Sequence, residues 1–399
     1  MKLKMPTQII IAIILGIIVG LWLKEKAEHL QLIGDLFIRL LKMIIIPLIL
    51  ASVVSGITQI GNIRNLGRIG LKTFLYYLIT TTLAVTIGLV LVNLIQPGTG
   101  VELANKAAEL PEQAAPSFIT IITDIIPENL FESMSQDNVL QIIFFAILLG
   151  AAISSVGEKG KSLLNLFEAF NTVMMKITSW IMYLAPIGVF ALMAVTTGKT
   201  GLVVIKPLGL YMTTVISGLL IHAFIVLPFL LFIFGMYNPL RFLKDVFSAV
   251  ATAFSTASSA ATLPITMECL EENTGVSNKI TSFVLPLGAT VNMDGTALYE
   301  AVAAMFIAQA YGIELSLAHQ LIIVLTATLA SIGAAAIPSA GLITLVIVLK
   351  AVNLPLEGIG MILAVDRLLD MFRTAVNVWG DSCGTVIIAR FEGEKFKAT

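Results

Sequence analysis

Long runs of apolar residues alternate with short polar segments along most of this chain. A helix that crosses a membrane needs about 20 predominantly apolar residues, and the chain before residue 240 contains six runs that approach or exceed that length. They are Ile9–Leu23, Ile33–Ile57, Leu71–Ile95, Val139–Val156, Leu163–Val195 and Val203–Gly235. The pattern predicts a helical chain with six membrane spans in this part. The first run lies after Lys2 and Lys4, as in a signal peptide, but Lys-Glu-Lys follows it where a cleavage site would stand, so we expect a retained helix.

Charged residues between the runs predict the orientation. Arg64, Arg68 and Lys72 lie between the second and third spans, and two further basic residues follow the sixth. The positive-inside rule places these segments in the cytoplasm. The segment 96–137 holds seven acidic residues and one lysine, so we expect it on the outer side.

The regular succession of spans stops after Asp245. Two uncharged runs beyond it are interrupted by small polar residues, glycine and proline, at Ser255–Pro264 and Ser331–Gly341. Each flanking arm is too short to cross comfortably, and irregular backbone at membrane depth is tolerated only where protein or a water-filled cavity surrounds it. The pattern predicts two re-entrant helical hairpins. Each is followed by a helix with an Asn-x-x-Gly sequence, and such paired broken segments indicate the midplane binding site of a transporter.

Five polar residues of the last span, Gly358–Arg390, fall on one helical stripe about 80° wide. They are Asp366, Asp370, Arg373, Asn377 and Asp381, and Thr374 borders them. Charged groups in membrane helices face the bundle interior or water, so a functional site is the first hypothesis. A structural ladder of ion pairs is the alternative, which three acids and one base disfavour because negative charge is left over.

The preceding helix, Ile280–Ala310, carries Asn292 and Thr296 on one side. Asp294 points away from that side if the helix is regular. If Asn-Met-Asp-Gly unwinds instead, backbone carbonyl groups are exposed beside the Asp294 carboxylate. Hard cations prefer oxygen ligands. Tyr77, Thr80 and Thr81 share a face of the third span and are either further oxygen ligands or packing residues.

Glu300 is a further acid inside the predicted membrane region, and no basic residue lies near it in the sequence. A lone carboxyl group in an apolar environment favours its neutral form. Glu300 is therefore predicted to be a proton carrier, with a permanently paired carboxylate as the alternative.

Composition supports an integral membrane protein. Charged residues make up 12% of the 399, apolar residues 57%, and the net charge is −1. Ordinary soluble domains have about 25% charged residues, and no basic excess is present to attract nucleic acid. The two cysteines are predicted to be buried thiols, and the three histidines, His29, His222 and His319, to be ordinary interfacial or core residues rather than ligands.

Several of these motifs together resemble the glutamate transporter family, the dicarboxylate/amino acid:cation symporters that include animal excitatory amino acid transporters and prokaryotic homologues. The motifs are Asn292-Met293-Asp294-Gly295-Thr296, the Ser/Ala-rich tip before Pro264, the Gly-rich tip before Pro338, and Asp370-x-x-Arg373-Thr374 with Asn377 and Asp381. The resemblance covers nearly the whole chain. It implies an all-α homotrimer in the cell (inner or plasma) membrane, with eight spans, two re-entrant hairpins, inverted repeats and an elevator mechanism.

The resemblance also divides the chain into a scaffold and a mobile transport domain. The scaffold would comprise spans 1 and 2 in residues 1–70 and spans 4 and 5 in 138–200, with an extracellular loop at 96–137. The transport domain would comprise span 3 (71–95), span 6 (201–236), the first hairpin (237–276), span 7 (277–312), the second hairpin (313–350), and span 8 with a cytoplasmic tail (351–399).

The family's substrate residues carry over by position. Arg373 would bind the substrate's side-chain carboxylate in a charge-assisted contact, and Asp370 its amino group. Asn377 and Ser259 would bind the main-chain carboxylate. The remaining members of the implied pocket are Ser258, Thr296, Ile337, Gly341 and Thr374.

The resemblance implies three sodium sites and a proton. The first site would use Gly288, Asn292, Asn377 and Asp381. The second would use Tyr77, Thr80, Thr81, Asn292 and Asp294. The third would use Thr290, Ser331, Ile332 and Ala334. Glu300 occupies the position of the acid that carries a proton in animal members.

Two positions depart from the family pattern. A second arginine usually lies in the first hairpin tip or just after the aspartate of the last span, where this chain has Ala257 and Met371. Arg367, beside the polar stripe, is a candidate to compensate. The short 139–161 region lacks the insertion of animal members, which indicates a prokaryotic protein.

The predicted function is secondary active uptake of L-aspartate or L-glutamate with sodium and a proton, and not enzymatic catalysis. A purely proton-driven carrier is the nearest alternative, which Asp294 and Asp381 disfavour. Arg373 disfavours a neutral amino acid carrier. An ion channel fits the broken hairpins less well than alternating access does. An intramembrane enzyme lacks support because Ser258 and Ser259 have no paired His or Lys.

Overall fold

The computed structural model describes residues 5–61, 67–100, 123, 126–136, 138–201, 205–332 and 341–396. Every regular element within these ranges is helical. The α-helices are α1 Met5–Leu23, α2 Gln31–Gly61, α3 Gly67–Ile95, α4 Leu130–Ser135, α5 Val139–Ser155, α6 Lys161–Tyr183, α7 Ala185–Thr200, α8 Ile205–Ile221, α9 Leu227–Leu230, α10 Pro239–Asp245, α11 Phe247–Thr256, α12 Ser259–Glu268, α13 Asn278–Val291, α14 Asp294–Ala310, α15 Leu317–Ser331, α16 Gly341–Ala351 and α17 Ile359–Phe391.

One group of helices packs around α2. Helix α2 contacts α5, α6 and α7, and α1 lies along α7. Glycines permit the last approach: a Cβ atom on Gly16 would lie 2.8 Å from the carbonyl oxygen of Phe190, and one on Gly20 would collide with Thr197. The Gly-x-x-x-Gly spacing of α1 is thus used for close packing within the chain.

A second group surrounds α14, in which every residue but Gln309 is buried. Helix α3 packs against α8, α14 and α15, while α17 packs against α8, α11, α13 and α14. The two groups meet where α17 contacts α7 and where α13 and α16 contact α2. The polar residues predicted to form a site all belong to the second group.

Two hairpin-like pairs belong to this second group. Helices α11 and α12 pack together and are joined at Ala257, whose φ of 50° lies in the left-handed region, and Ser258. The Ser258 hydroxyl accepts a hydrogen bond of 3.2 Å from the Ala261 amide and so caps α12. Helices α15 and α16 also pack together. Their connection, 333–340, lies outside the described residues, and with it the predicted site residues Ala334 and Ile337.

The predicted continuous span Leu163–Val195 is divided in the structure. Helix α6 ends at Tyr183 and α7 begins at Ala185, with Leu184 in a turn between them. Pro186 explains the division because its ring nitrogen cannot donate to the helix ladder. The apolar composition on both sides concealed this break.

Two helical runs of the described chain are long and apolar enough to cross a membrane. They are Arg68–Ile95 and Lys206–Gly235. The second contains two π-helical turns, His222–Val226 and Leu231–Gly235, on either side of α9. Phe224, Phe229 and Phe232 of this run are exposed, as expected of side chains that face lipid.

Glu392, just after the end of α17, links that helix to the start of α3. Its carboxylate accepts hydrogen bonds from Arg68 Nη2 at 2.6 Å and Lys72 Nζ at 2.7 Å, both near the start of α3. These hydrogen bonds, that of Arg68 foremost, lower the pKa of Glu392 below its ordinary value.

Candidate functional site

The helix that contains Asn292 and Asp294 is interrupted between them. Helix α13 ends at Val291, Asn292 has φ −99° and ψ 87°, and α14 starts at Asp294 after Met293, which has φ −118° and ψ 54°. Of the two possibilities left open by the sequence, the structure therefore has the unwound one. At this interruption the Asp294 side chain contacts α3.

Asp294 is completely buried among hydroxyl groups of α3. Thr81 donates a hydrogen bond of 2.6 Å to Asp294 Oδ1, and Thr80 lies 3.3 Å from the same oxygen and 3.4 Å from Asn292 Oδ1. Tyr77 instead donates to the carbonyl oxygen of Val284 at 3.0 Å. Four of the five residues predicted for this cation set are thus joined by direct contacts, with Tyr77 beside them.

The second carboxylate, Asp381 of α17, lies on the other side of Asn292. The Asn292 amide donates to Asp381 Oδ1 at 2.8 Å. A Cβ atom on Gly288 would collide with this carboxylate oxygen and with the Tyr77 hydroxyl, so only glycine allows the approach. The structure therefore brings together Gly288, Asn292 and Asp381 of the predicted first sodium set.

Asn377, the fourth member, contacts the start of α14. Its side-chain oxygen accepts from the Gly295 amide at 2.8 Å, and its nitrogen lies 3.4 Å from the Thr296 hydroxyl. Asn377 thereby joins the cation cluster to the predicted substrate pocket.

A cavity of about 10 Å³ lies beside the third predicted cation set, which is room for roughly one water-sized sphere. Ser331 and Ile332 line it, together with Tyr77, Thr81 and Thr328. Thr290 lies next to another lining residue, Val291, and its hydroxyl bonds back to the Leu287 carbonyl at 3.1 Å. The second and third predicted sets are therefore neighbours.

Arg373 is completely buried at the centre of the predicted substrate pocket. Its Nη2 atom lies 3.0 Å from Asp366 and 2.8 Å from Asp370, and its guanidinium carbon lies 3.9 Å from the centre of the Tyr299 ring. Nε and Nη1 have no hydrogen-bond partner in the described part of the chain. Guanidinium N–H groups without a partner are suited to donate to a carboxylate.

Thr296 and Gly341 flank the side of Arg373 that carries Nη1. A Cβ atom on Gly341 would lie 2.9 Å from Nη1 and 3.1 Å from the Thr296 methyl group. Thr374, the residue after Arg373, and Ser259, at the start of α12, are also buried. The structure thus brings Thr296 and Gly341 to Arg373.

Arg367 reaches Asp370 from one turn earlier on α17. Its Nη1 lies 3.3 Å from Asp370 Oδ2. Asp370 thus lies between two guanidinium groups, whereas Ala257 and Met371 supply none. Asp381 bonds to an amide rather than to a base, so the acids of the stripe are not all matched by cations, as a closed ladder of ion pairs would require.

Glu300 is completely buried, and neither carboxyl oxygen has a hydrogen-bond partner within the described ranges. Its polar neighbours include the Thr344 hydroxyl and, farther off, Arg373. Within the described ranges Glu300 is therefore not in a direct ion pair, which the permanently paired carboxylate would require.

One residue of this site was not predicted from the sequence. His222, expected to be an ordinary core or interfacial residue, is completely buried and its Nε2 lies 2.9 Å from Asp294 Oδ2. No local pattern marks it, because it stands in an apolar helix 72 positions before its partner.

Comparison with known proteins assigns the chain to a family. A sequence model of the sodium:dicarboxylate symporter family matches residues 5–391. The chain belongs to that family, and it is therefore a membrane transporter and not an enzyme.

Individual relatives agree with this assignment. The proton/sodium-glutamate symport protein of Geobacillus stearothermophilus is 39% identical over 406 aligned positions, covering 98% of this chain and 96% of the relative. Excitatory amino acid transporter 3 of Mus musculus is 40% identical over 448 positions, covering 97% and 85%. The proton/sodium-glutamate symport protein of Bacillus subtilis (strain 168) is 38% identical over 405 positions, covering 98% and 94%. The resemblance seen in the motifs is confirmed.

Proposed function

We propose that this protein takes up L-aspartate or L-glutamate by secondary active symport with sodium ions and a proton. The observation that carries the proposal is Arg373, a fully buried guanidinium whose Nη1 lies beside Thr296 and Gly341 and has no hydrogen-bond partner among the described residues. A substrate with a side-chain carboxylate would accept a hydrogen bond from Nη1. The relatives named as proton/sodium-glutamate symporters support the same substrate and ions.

In the proposed pocket the substrate's amino group meets Asp370, and its main-chain carboxylate meets Asn377 and the first hairpin tip at Ser258 and Ser259. Arg367 holds Asp370 from the opposite side to Arg373. The second arginine of the family pattern is then replaced from within α17. Ile337 completes the pocket from the tip of the second hairpin.

Sodium is bound where oxygen atoms converge around the interrupted helix. Asp381 with Asn292 and Asp294 with Thr80 and Thr81 supply one carboxylate each to two sites. Carboxylate, amide and hydroxyl oxygens are the ligand set that a hard cation prefers. The third site lies under the second hairpin, at the carbonyl groups of Thr290, Ser331, Ile332 and Ala334.

The proton travels on Glu300. An ionised carboxylate without partners in the protein interior is costly, so this side chain crosses the membrane region in its neutral form. Translocation moves the second group of helices, with both hairpins, against the group around α2 in an elevator motion. We propose eight spans, two re-entrant hairpins, inverted repeats and a homotrimer in the cell membrane for the complete assembly.

Uptake of labelled L-aspartate into proteoliposomes, with and without an inward sodium gradient at fixed pH, tests this function. We expect accumulation only with the gradient. Accumulation driven by a pH gradient without sodium would keep Glu300 as the coupling residue and overturn the sodium sites. A lack of uptake under both gradients would overturn the function itself.

A further inference from the structure

His222 occupies the side of Asp294 that faces away from the hydroxyl groups of α3. Thr81 and Thr80 contact Oδ1 of the carboxylate, and His222 Nε2 contacts Oδ2 at 2.9 Å. Both side chains are completely buried. The two oxygens of one carboxylate are thus divided between a hydroxyl cluster and an imidazole.

The hydrogen-bond pattern assigns the donor. An ionised carboxylate only accepts hydrogen bonds, so Nε2 carries the hydrogen of this contact. His222 Nδ1 is buried and has no hydrogen-bond partner among the described residues. The imidazole thus contacts Oδ2 through Nε2 and leaves Oδ1 to the hydroxyl side.

The backbone that carries His222 is held in an irregular turn. The π-helical turn His222–Val226 follows α8, and Trp379 of α17 donates from its indole nitrogen to the Ala223 carbonyl at 2.9 Å. Single π turns inside α-helices are frequent at functional sites. The π turn and the hydrogen bond from Trp379 together restrain the backbone that carries the imidazole.

Gly380 leaves the room that this arrangement needs. A Cβ atom at Gly380 would lie 3.1 Å from Asn292 Nδ2 and 3.4 Å from Asp294 Oδ2. Helix α17 therefore approaches the carboxylate at its smallest residue, next to the tryptophan that anchors the π turn.

We propose that His222 is a positioning residue for the cation site at Asp294. It donates a hydrogen bond to Oδ2 and so keeps Oδ1 directed at Thr80 and Thr81. The inference rests on the proposed function, because it takes the ion at Asp294 to be the sodium that drives uptake. Partners that orient the ligands of a metal ion typically change its affinity 10- to 100-fold when they are removed.

The test compares substitutions that keep or remove the donor in the full-length transporter. In His222→Gln the amide nitrogen takes the place of Nε2, whereas His222→Leu fills the space without a donor and His222→Asn is too short to reach. Sodium titrations of aspartate binding give the half-saturating sodium concentration, and aspartate titrations at saturating sodium give the substrate Kd. His29→Gln, at an exposed position after α1, is the control.

We expect His222→Leu and His222→Asn to raise the half-saturating sodium concentration on the order of 10-fold or more, with the substrate Kd at saturating sodium within about threefold. His222→Gln and His29→Gln should remain near wild type. In an Asp294→Asn background, His222→Leu should cause no further loss. If His222→Leu does not assemble, the comparison of the Gln and Asn variants decides, because both are amides that differ by one methylene group.

Equal impairment of the Gln and Asn variants, with substrate affinity falling in parallel, would show that His222 only fills space. Unchanged sodium dependence in both the Leu and Asn variants would also overturn the inference. A wild-type protein without sodium-dependent uptake would instead overturn the proposed function.

Discussion

Two polar regions adjoin α14, and they differ in whether their buried polar groups have hydrogen-bond partners. Around Asp294, both carboxylate oxygens have partners, from Thr81 on one side and His222 on the other. Around Arg373, two guanidinium nitrogens have none among the described residues, and Glu300 lacks partners for both oxygens. Buried polar groups are normally hydrogen-bonded, so unsatisfied ones require an explanation.

This difference suggests different roles: a fixed framework around Asp294 and a region around Arg373 that is available for binding. The groups near Asp294 hold one another in a fixed arrangement that presents oxygens to a cation. Arg373 is held in position by Asp366, Asp370 and Tyr299, and both Arg373 and Glu300 have buried polar atoms without a hydrogen-bond partner in the described part of the chain. In the proposed function these atoms bind the anionic substrate and the proton.

Arg373→Ala should have the largest effect, because it removes the charge that an acidic substrate pairs with. Truncating one partner of a buried charge pair costs about 2–5 kcal/mol, which is roughly 30-fold to several thousand-fold in affinity. Isothermal titration with L-aspartate at saturating sodium measures it. Arg373→Lys should recover only part of the loss because it lacks the planar pair of donors.

Arg390→Ala, at the exposed end of the same helix, is the matched control and should bind aspartate normally. High-affinity binding of aspartate by Arg373→Ala would reject the contrast between the two regions.

The Asp381→Asn substitution tests the cation cluster around Asn292 and Asp294. It keeps the size of the side chain and removes its charge, so sodium should bind more weakly by more than about 10-fold. The half-saturating sodium concentration for aspartate uptake measures this change. Asp35→Asn, in α2, should leave the sodium response intact, and an unaltered response in Asp381→Asn would exclude Asp381 from the cation site.

The sequence predicted much of this framework because its signals are periodic. The stripe Asp366 to Asp381 could be located because α17 is one long regular helix. The spacing of residues also showed that a regular helix would point Asp294 away from Asn292, which raised the alternative of an unwound Asn-Met-Asp-Gly segment. Such inferences need only the helical repeat.

The residues that were missed lack such a signal. His222 gains its role from a carboxylate far along the chain and from a π turn that no motif in the sequence marks. The division at Leu184 coincides with a single residue, Pro186, rather than with a repeat, and the apolar run around it predicted continuity. The bonding deficit of Arg373 is a property of packing, which sequence periodicity does not report.

Glu300→Gln tests the region around Arg373 and Glu300, and it should affect substrate binding less than Arg373→Ala does. An amide cannot take up and release a proton, so uptake should stop responding to an imposed pH gradient while exchange of internal for external aspartate continues. Proteoliposome uptake and exchange assays at a constant sodium gradient measure both. Proton coupling that persists in this variant would rule out Glu300 as the carrier.

Glu392 provides a carboxylate whose partners are supplied at the surface, and its loss should matter least. Its pKa is lowered from 4.5 by Arg68 and Lys72, so its stabilising contribution is fully present above that ordinary value. The contribution disappears as the pH falls through the lowered value. Exposed ion pairs contribute little to stability.

Thermal unfolding of wild type and Glu392→Gln near neutral pH and in strong acid measures this effect. We expect a slightly lower Tm for the variant near neutral pH and no difference in acid. Glu158→Gln, whose parent side chain is 90% exposed, is the control. A difference that grew as the pH fell would contradict the assignment.

The indole anchor of the π turn also gives the molecule a built-in optical reporter. Of the three tryptophans, Trp22 and Trp180 are 81% and 59% exposed, whereas Trp379 is 5% exposed and is bonded to the residue after His222. Indole emission depends on local polarity and hydrogen bonding. Once Trp22 and Trp180 are replaced by phenylalanine, the remaining tryptophan fluorescence comes from a single chromophore beside the proposed cation site, so binding of an ion there could be followed in real time without a label.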